Sequence, residues 1–344
     1  MRKRSPYKRQ GLGLYIGIVA VAAVVLILFK GLPGWYGTSL NTPMDADDTS
    51  QIIFDIESGE SGKTVASNLE EEGLIRSEWA FYWYLKENDL GSSIQAGRFV
   101  LSYSMSAIEI AEAITDGAGQ LVVTIPEGYN ISQIDDRLYE LGLIKDDEFE
   151  YCAENCEFKR EWGEMSGYSS LEGYLFPDTY FVDPATFDSA TFISRLIDTF
   201  EQKVLTEENI ALVAASGRTL DEIVIAASII EKEVISAEDQ ALVSGIIWKR
   251  LDNGWALGMC STVNYITGES EVTYEDTQID SPYNTYQYPG FPPTAIASPG
   301  LGAIEAAISP QDSAYWYFLT ASETGETIYS GTNAEHETNK AKYL

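Results

Sequence analysis

Leu121–Ile144 reads LVVTIPEGYNISQIDDRLYELGLI, and 69 residues earlier Ile52–Ile75 reads IIFDIESGESGKTVASNLEEEGLI. Ile56, Gly59, Leu69, Glu71, Gly73, Leu74 and Ile75 recur as Ile125, Gly128, Leu138, Glu140, Gly142, Leu143 and Ile144. Each copy predicts a strand, a glycine turn, an amphipathic helix and a glycine stop. Ser61 or Asn130 caps the helix, Val65/Leu69 or Ile134/Leu138 give an i, i+4 apolar stripe, and Gly73 or Gly142 supplies the left-handed residue past the end. Two copies fall short of a solenoid, which needs three or more.

Outward from these units the chain reads as α+β. A helix over Trp79–Lys86, a strand over Arg98–Leu101 and a helix over Ala107–Thr115 complete a small α+β module at residues 51–118. Residues 119–344 form a larger mixed domain with a helical core. There Thr219–Glu222 is a capping box opening a helix with Ile223, Ala227, Ile230 and Val234 at helical spacing. Ser236–Asp239 caps the next helix, which ends at Gly254. Tyr274–Gly302, rich in Pro, Tyr, Gly and Ser, reads as an ordered loop.

The first ten residues carry Arg2, Lys3, Arg4, Lys8 and Arg9 and no acid, a basic tail over residues 1–11. Leu12–Phe29, LGLYIGIVAVAAVVLILF, is 18 residues without a charge, closed by Lys30. As a helix it spans about 27 Å, near the thickness of a bilayer core. It is therefore expected to be a single transmembrane helix at 12–30. A cleaved signal peptide is the rival reading, but KGLPGWYGT after Phe29 offers no small-x-small cleavage site. The basic tail stays in the cytoplasm and the rest of the chain faces outward. Residues 31–50, rich in Gly, Pro, Thr and Asp, read as a tether.

All 53 acidic residues lie beyond residue 30, and the formal charge is −31. Phosphate contacts depend on clustered Lys and Arg, so a nucleic-acid partner is excluded. Cys152 and Cys156 (CAENC) face an oxidising compartment, where a pair across one turn and isolated thiols are equal readings; Cys260 stays single.

His336 is the one histidine, so mechanisms that need several imidazoles are excluded. A nucleophile elbow of the G-x-S-x-G type and an H-E-x-x-H metal motif are both missing. Carboxylates remain as acid/base groups. Glu172 stands out, because Leu171-Glu172-Gly173-Tyr174-Leu175-Phe176-Pro177-Asp178-Thr179-Tyr180 sets it among large apolar residues. Desolvation there raises a carboxyl pKa and keeps a proton near neutrality; the competing reading is a glutamate pointing to solvent from a hydrophobic turn. In ASIIEKEV, Glu231 borders the apolar stripe of its helix and Glu233 falls away from it toward solvent. Tyr283, Tyr286, Tyr288 and Phe291 either stack on sugar rings or pack a rigid loop.

LEGYLFPDTYFV, AASIIEKEV, SPYNTYQYPGFPPTAIASPG and TNAEHETNKAKYL, in this order behind an apolar N-terminal run, resemble the endolytic murein transglycosylase (YceG-like) family over roughly residues 50–344. The resemblance implies that Glu172, in the EG-x-x-x-PDT motif, is the catalytic acid/base. It also implies a LysM-like module near residues 50–118, a peptidoglycan glycan strand as substrate, and no cofactor or metal. Glu231, Tyr174, Asp178, Tyr283, Asn284, Tyr286 and His336 are the candidate substrate contacts. The expected reaction cuts the bond between N-acetylmuramic acid and N-acetylglucosamine and leaves anhydro ends, in a chain anchored in the plasma membrane near the peptidoglycan synthases. Two segments depart from the family pattern. Leu257-Gly-Met-Cys-Ser-Thr-Val263 stands where the family commonly has LQSDPTV, and GFPPTAI replaces GLPPGPI. The altered Gly258–Ser261 loop keeps a second reading open, a non-catalytic peptidoglycan-binding or scaffold protein. A pyridoxal-phosphate lyase is disfavoured by the few lysines and the lack of a cofactor motif.

Overall fold

The computed structural model describes residues 34–116, 121–160, 163–164 and 170–344. The basic tail and the apolar run expected to cross the membrane lie outside these residues. Among the described residues no helix is long and apolar enough to span a membrane. The chain divides into two compact units. Among the described residues, one comprises those up to 121 together with 182–186, and the other those within 122–181 and 187–344.

In the first unit, β1 (Gln51–Ile56) pairs antiparallel with β2 (Gly97–Ser102), and Phe54 faces Phe99. The strand alternates: Phe54 and Ile56 are buried, while Asp55 points out and meets Arg98 at 3.3 Å. Between the strands run α1 (Gly62–Glu71) and α2 (Glu78–Glu87), and α3 (Ala107–Asp116) follows β2. Ser61 and Ser77 accept from the Thr64 and Ala80 amides, which satisfies donors left open in each first turn. Gly73, at φ +72°, turns the chain so that Leu74 and Ile75 enter the core with Val65 and Leu69.

The stretch read as a tether is in part docked. Residues 34–41 are helical, and Leu40 is 4% exposed within the same core. Arg76 donates to the Thr42 and Pro43 carbonyls and clamps the segment down. A composition rich in Gly, Pro and Thr concealed one apolar anchor.

A two-stranded sheet joins β3 (Leu121–Thr124) and β4 (Thr179–Val182), of which residues 122–124 and 179–181 belong to the second unit. Helix α4 (Ile131–Glu140) starts with both halves of a capping box, Asn130 and Gln133. Asp135 on α4 is buried because it accepts from the amides of Asp147, Phe149 and Glu150 and so caps α5 (Glu148–Asn155). Cys152 and Cys156 form a disulfide and Cys260 is free, which decides between the two readings left open by the sequence.

Helices α6 (Ser189–Val204) and α7 (Glu207–Ser216) lead to α8 (Leu220–Glu233), where the Thr219/Glu222 capping box forms as expected. Eight consecutive residues of α8, Ile223–Ile230, are buried. A helix buried on every side belongs to the centre of its unit. Around it pack α9 (Ala237–Asp252), α10 (Cys260–Thr267) and α11 (Leu301–Ile308). The hairpin β5 (Tyr317–Thr320) and β6 (Thr327–Ser330) with α12 (Asn333–Tyr343) closes the chain.

Candidate active site

Leu171–Tyr174 forms a turn closed by the Tyr174 amide on the Leu171 carbonyl at 3.0 Å. Gly173 adopts φ +89°, and a Cβ there would lie 2.6 Å from both Ala295 Cβ and Val224 Cγ1. Only glycine lets the turn press this closely against α8 and the Pro/Tyr-rich loop. That pressure carries Glu172 inward, to 4% exposure.

The Glu172 carboxyl has two donors on one oxygen. Its Oε2 accepts from the Ile131 amide at 3.3 Å, in the first turn of α4, and from the Tyr265 hydroxyl at 3.4 Å, on α10. Its Oε1 is buried with no hydrogen-bond partner among the described residues. Burial pushes the Glu172 pKa up to about 8, against the lowering pull of the two hydrogen bonds. The group therefore holds a proton at neutral pH. The solvent-pointing reading of Glu172 is excluded.

Sequence alone does not single out Tyr265. It lies in VNYIT beyond the altered loop, and nothing local distinguishes it from a packing tyrosine. Its ring lies 5.0 Å from that of Tyr283, whose hydroxyl pairs with Thr294 Oγ1 at 2.8 Å. Burial and the neighbouring Glu172 both raise the Tyr265 pKa, so it stays a donor.

The other candidates separate into several places. Tyr174 is 1% exposed, its ring on Phe200 and its hydroxyl donating to Asp221, so it offers no surface to a sugar. Asn284 is fully buried as well. Its Nδ2 donates to the Thr277 and Ile279 carbonyls and its Oδ1 accepts from the Tyr286 amide, which shapes the loop. Asp178 pairs with Lys203 at 2.7 Å. His336 stacks on Tyr317 with ring centroids 5.1 Å apart, and burial lowers its pKa.

Glu231 accepts from the Gly300 amide at 3.1 Å, at the start of α11, and its pKa is raised by burial. Glu233 corrects the sequence reading: it is half-buried rather than on an open face, accepts from the Ser261 amide at 3.0 Å, and burial raises its pKa. A helical wheel of α8 records only that helix's own stripe. It cannot register α10 covering the end of α8 from a second side.

The altered loop joins the same framework. The Gly258 amide donates to the Thr285 carbonyl, the Met259 amide donates to Thr285 Oγ1, and Cys260 Sγ lies 3.1 Å from the Tyr286 hydroxyl. Ser298 clasps the opposite side: its carbonyl accepts from the Gly128 amide and its amide donates to the Tyr129 carbonyl, at 2.8 and 2.7 Å.

The Glu172 carboxyl is thus buried, protonated at neutral pH and held on one oxygen by the first turn of α4 and the Tyr265 hydroxyl. The profile of the YceG-like family matches residues 54–342, and the chain belongs to that family. It is 32% identical over 331 residues to the endolytic murein transglycosylase of Bacillus subtilis strain 168, covering 90% of this chain and 89% of that protein. The endolytic murein transglycosylase of Streptococcus pneumoniae R6 is 27% identical, over 88% of this chain and 60% of the relative. A crystal structure of a yceG-like protein from Listeria monocytogenes superposes with a TM-score of 0.58 at 27% identity, over 84% of this chain and 99% of that one.

Proposed function

We propose that the chain is a lytic transglycosylase that cuts peptidoglycan glycan strands internally, with Glu172 as its acid and base. The observation that carries this reading is the buried Glu172 carboxyl with one unpartnered oxygen, in a chain 32% identical to a named endolytic murein transglycosylase. Protonated Glu172 donates to the glycosidic oxygen as the bond from muramic C1 breaks, and the glucosamine hydroxyl leaves. The muramic C6 hydroxyl then closes on C1 and passes its proton to the Glu172 carboxylate. The ring closes as a 1,6-anhydro sugar, and the enzyme returns to its starting protonation state without consuming water.

Tyr283 and Tyr286 are the aromatic faces for sugar rings, and Tyr286 reaches the altered loop through Cys260. Glu231 fixes the start of α11, while Tyr174, Asn284 and Asp178 hold the frame, and His336 belongs to the hairpin end. No metal or cofactor enters the scheme. The module at 51–118 is the LysM-like holder of glycan, and residues 119–344 are the catalytic domain. Residues 12–30 anchor the chain as a single pass in the plasma membrane, beside the peptidoglycan synthases, so that cutting ends strand elongation. The Cys152–Cys156 disulfide supports the outward side, since disulfides persist in oxidising compartments.

Digestion of isolated sacculi tests the reading. The full chain is expected to release anhydromuropeptides and Glu172→Gln to release none. A parent chain that binds sacculi and releases nothing would make it the non-catalytic binding protein instead.

A further inference from the structure

Three indole rings form a continuous exposed cluster on the first unit. Trp35, Trp79 and Trp83 are 46%, 52% and 41% exposed, and the Trp35–Trp79 and Trp79–Trp83 ring centroids are each 5.8 Å apart. Lys86 extends its ammonium over the Tyr82 and Trp83 rings at 5.8 and 5.6 Å. A patch of this kind on a soluble surface marks a contact.

Its place along the chain says with what. Tyr36 donates to Glu87 at 2.9 Å, Leu40 is buried and Arg76 clamps residues 42–43, so the chain is fixed to this unit as far back as Trp35. Phe29, the last residue of the charge-free run, lies six residues before Trp35, a reach of at most about 22 Å. The cluster therefore includes the described residue Trp35, six positions along the chain from that run. Indoles favour the boundary between headgroup and acyl chain, with an apolar face and an N–H that stays wet, and lysine stems reach from there to phosphate.

We infer that Trp35, Trp79 and Trp83 form a membrane-docking surface that seats the first unit on the headgroup boundary of a phospholipid bilayer. The inference rests on the reading of residues 12–30 as a membrane anchor. The occupant is a zwitterionic surface, because a chain of formal charge −31 is repelled by anionic lipid.

The test uses the full chain in phosphatidylcholine vesicles whose acyl chains carry bromine just below the headgroup. Flotation with the vesicles reads the anchor, and quenching of tryptophan emission reads the cluster. The expected result is flotation with quenching, and loss of the quenched component in a triple Trp→Phe variant at 35, 79 and 83 that still floats. Flotation without quenching, or quenching that survives in the triple variant, overturns the docking surface and leaves the anchor standing. A chain that does not float overturns both. Shielding of the indoles from acrylamide by soluble N-acetylglucosamine oligomers, with no bromolipid quenching, overturns the inference in favour of a glycan face.

Discussion

The Glu172 carboxyl is neutral in the folded chain over a pH range in which an unfolded glutamate is charged. Between its ordinary pKa of 4.5 and its folded value of about 8, the folded state binds one proton more than the unfolded state. The contribution of this residue to stability is full below that window and is lost as pH rises through it, by up to about 1.4 kcal/mol per pH unit. Urea unfolding across the window is expected to show this slope in the parent and a flatter one in Glu172→Gln. A parent curve without the slope would return Glu172 to solvent. The same substitution removes the acid proton and is expected to lower activity by at least ~10²-fold while leaving the fold intact. Tyr265→Phe deletes a donor that favours the charged form of Glu172, so the alkaline limb of the activity profile is expected to move to higher pH. A limb that stays in place would reduce Tyr265 to packing.

Gly173 belongs to the scale of elements, because its missing side chain is what lets the turn, α8 and the loop at Ala295 close together. Gly173→Ala both strains a positive φ and drives a methyl group into Ala295 and Val224. We expect most activity to be lost and stability to fall by about 1–3 kcal/mol, read by thermal unfolding alongside sacculus digestion. Reduction of the Cys152–Cys156 disulfide, which closes a short loop, should cost about 2 kcal/mol on the chain-entropy estimate, visible as a lower Tm in reductant. The repeated strand, turn and helix were legible because their signals are local: a capping residue, an i, i+4 stripe and a glycine stop lie within one 24-residue window. Glu172 was legible for the same reason, since its apolar neighbours adjoin it in sequence. Glu233 and Tyr265 were not, because what buries the first and what employs the second arrive from elements about 28 and 93 residues away. The docked start of the supposed tether was not legible because isolated contacts hold it, Leu40 in the core, Tyr36 on Glu87 and Arg76 on residues 42–43, and not a periodic pattern.

At the scale of the whole molecule the charge asymmetry makes its own prediction. All the acid lies beyond the apolar run and the leading residues are basic, so a reporter fused after Leu344 is expected to be active only outside the cytoplasm. Activity of that fusion inside the cell would remove both the anchor and the docking face. The pairing of Ser298 with Gly128 and Tyr129 has a consequence for the timing of synthesis. Glu172 lies at the midpoint of the chain, and the residues that wall its turn, Ala295 and the stretch ending at Ser298, come more than a hundred positions later. Contacts of such separation form late in folding. A growing or prematurely terminated polypeptide thus carries Glu172 in an open, solvated turn where it ionises like any other glutamate, and on the proposed reading the capacity to cut the wall is withheld until the chain is nearly complete.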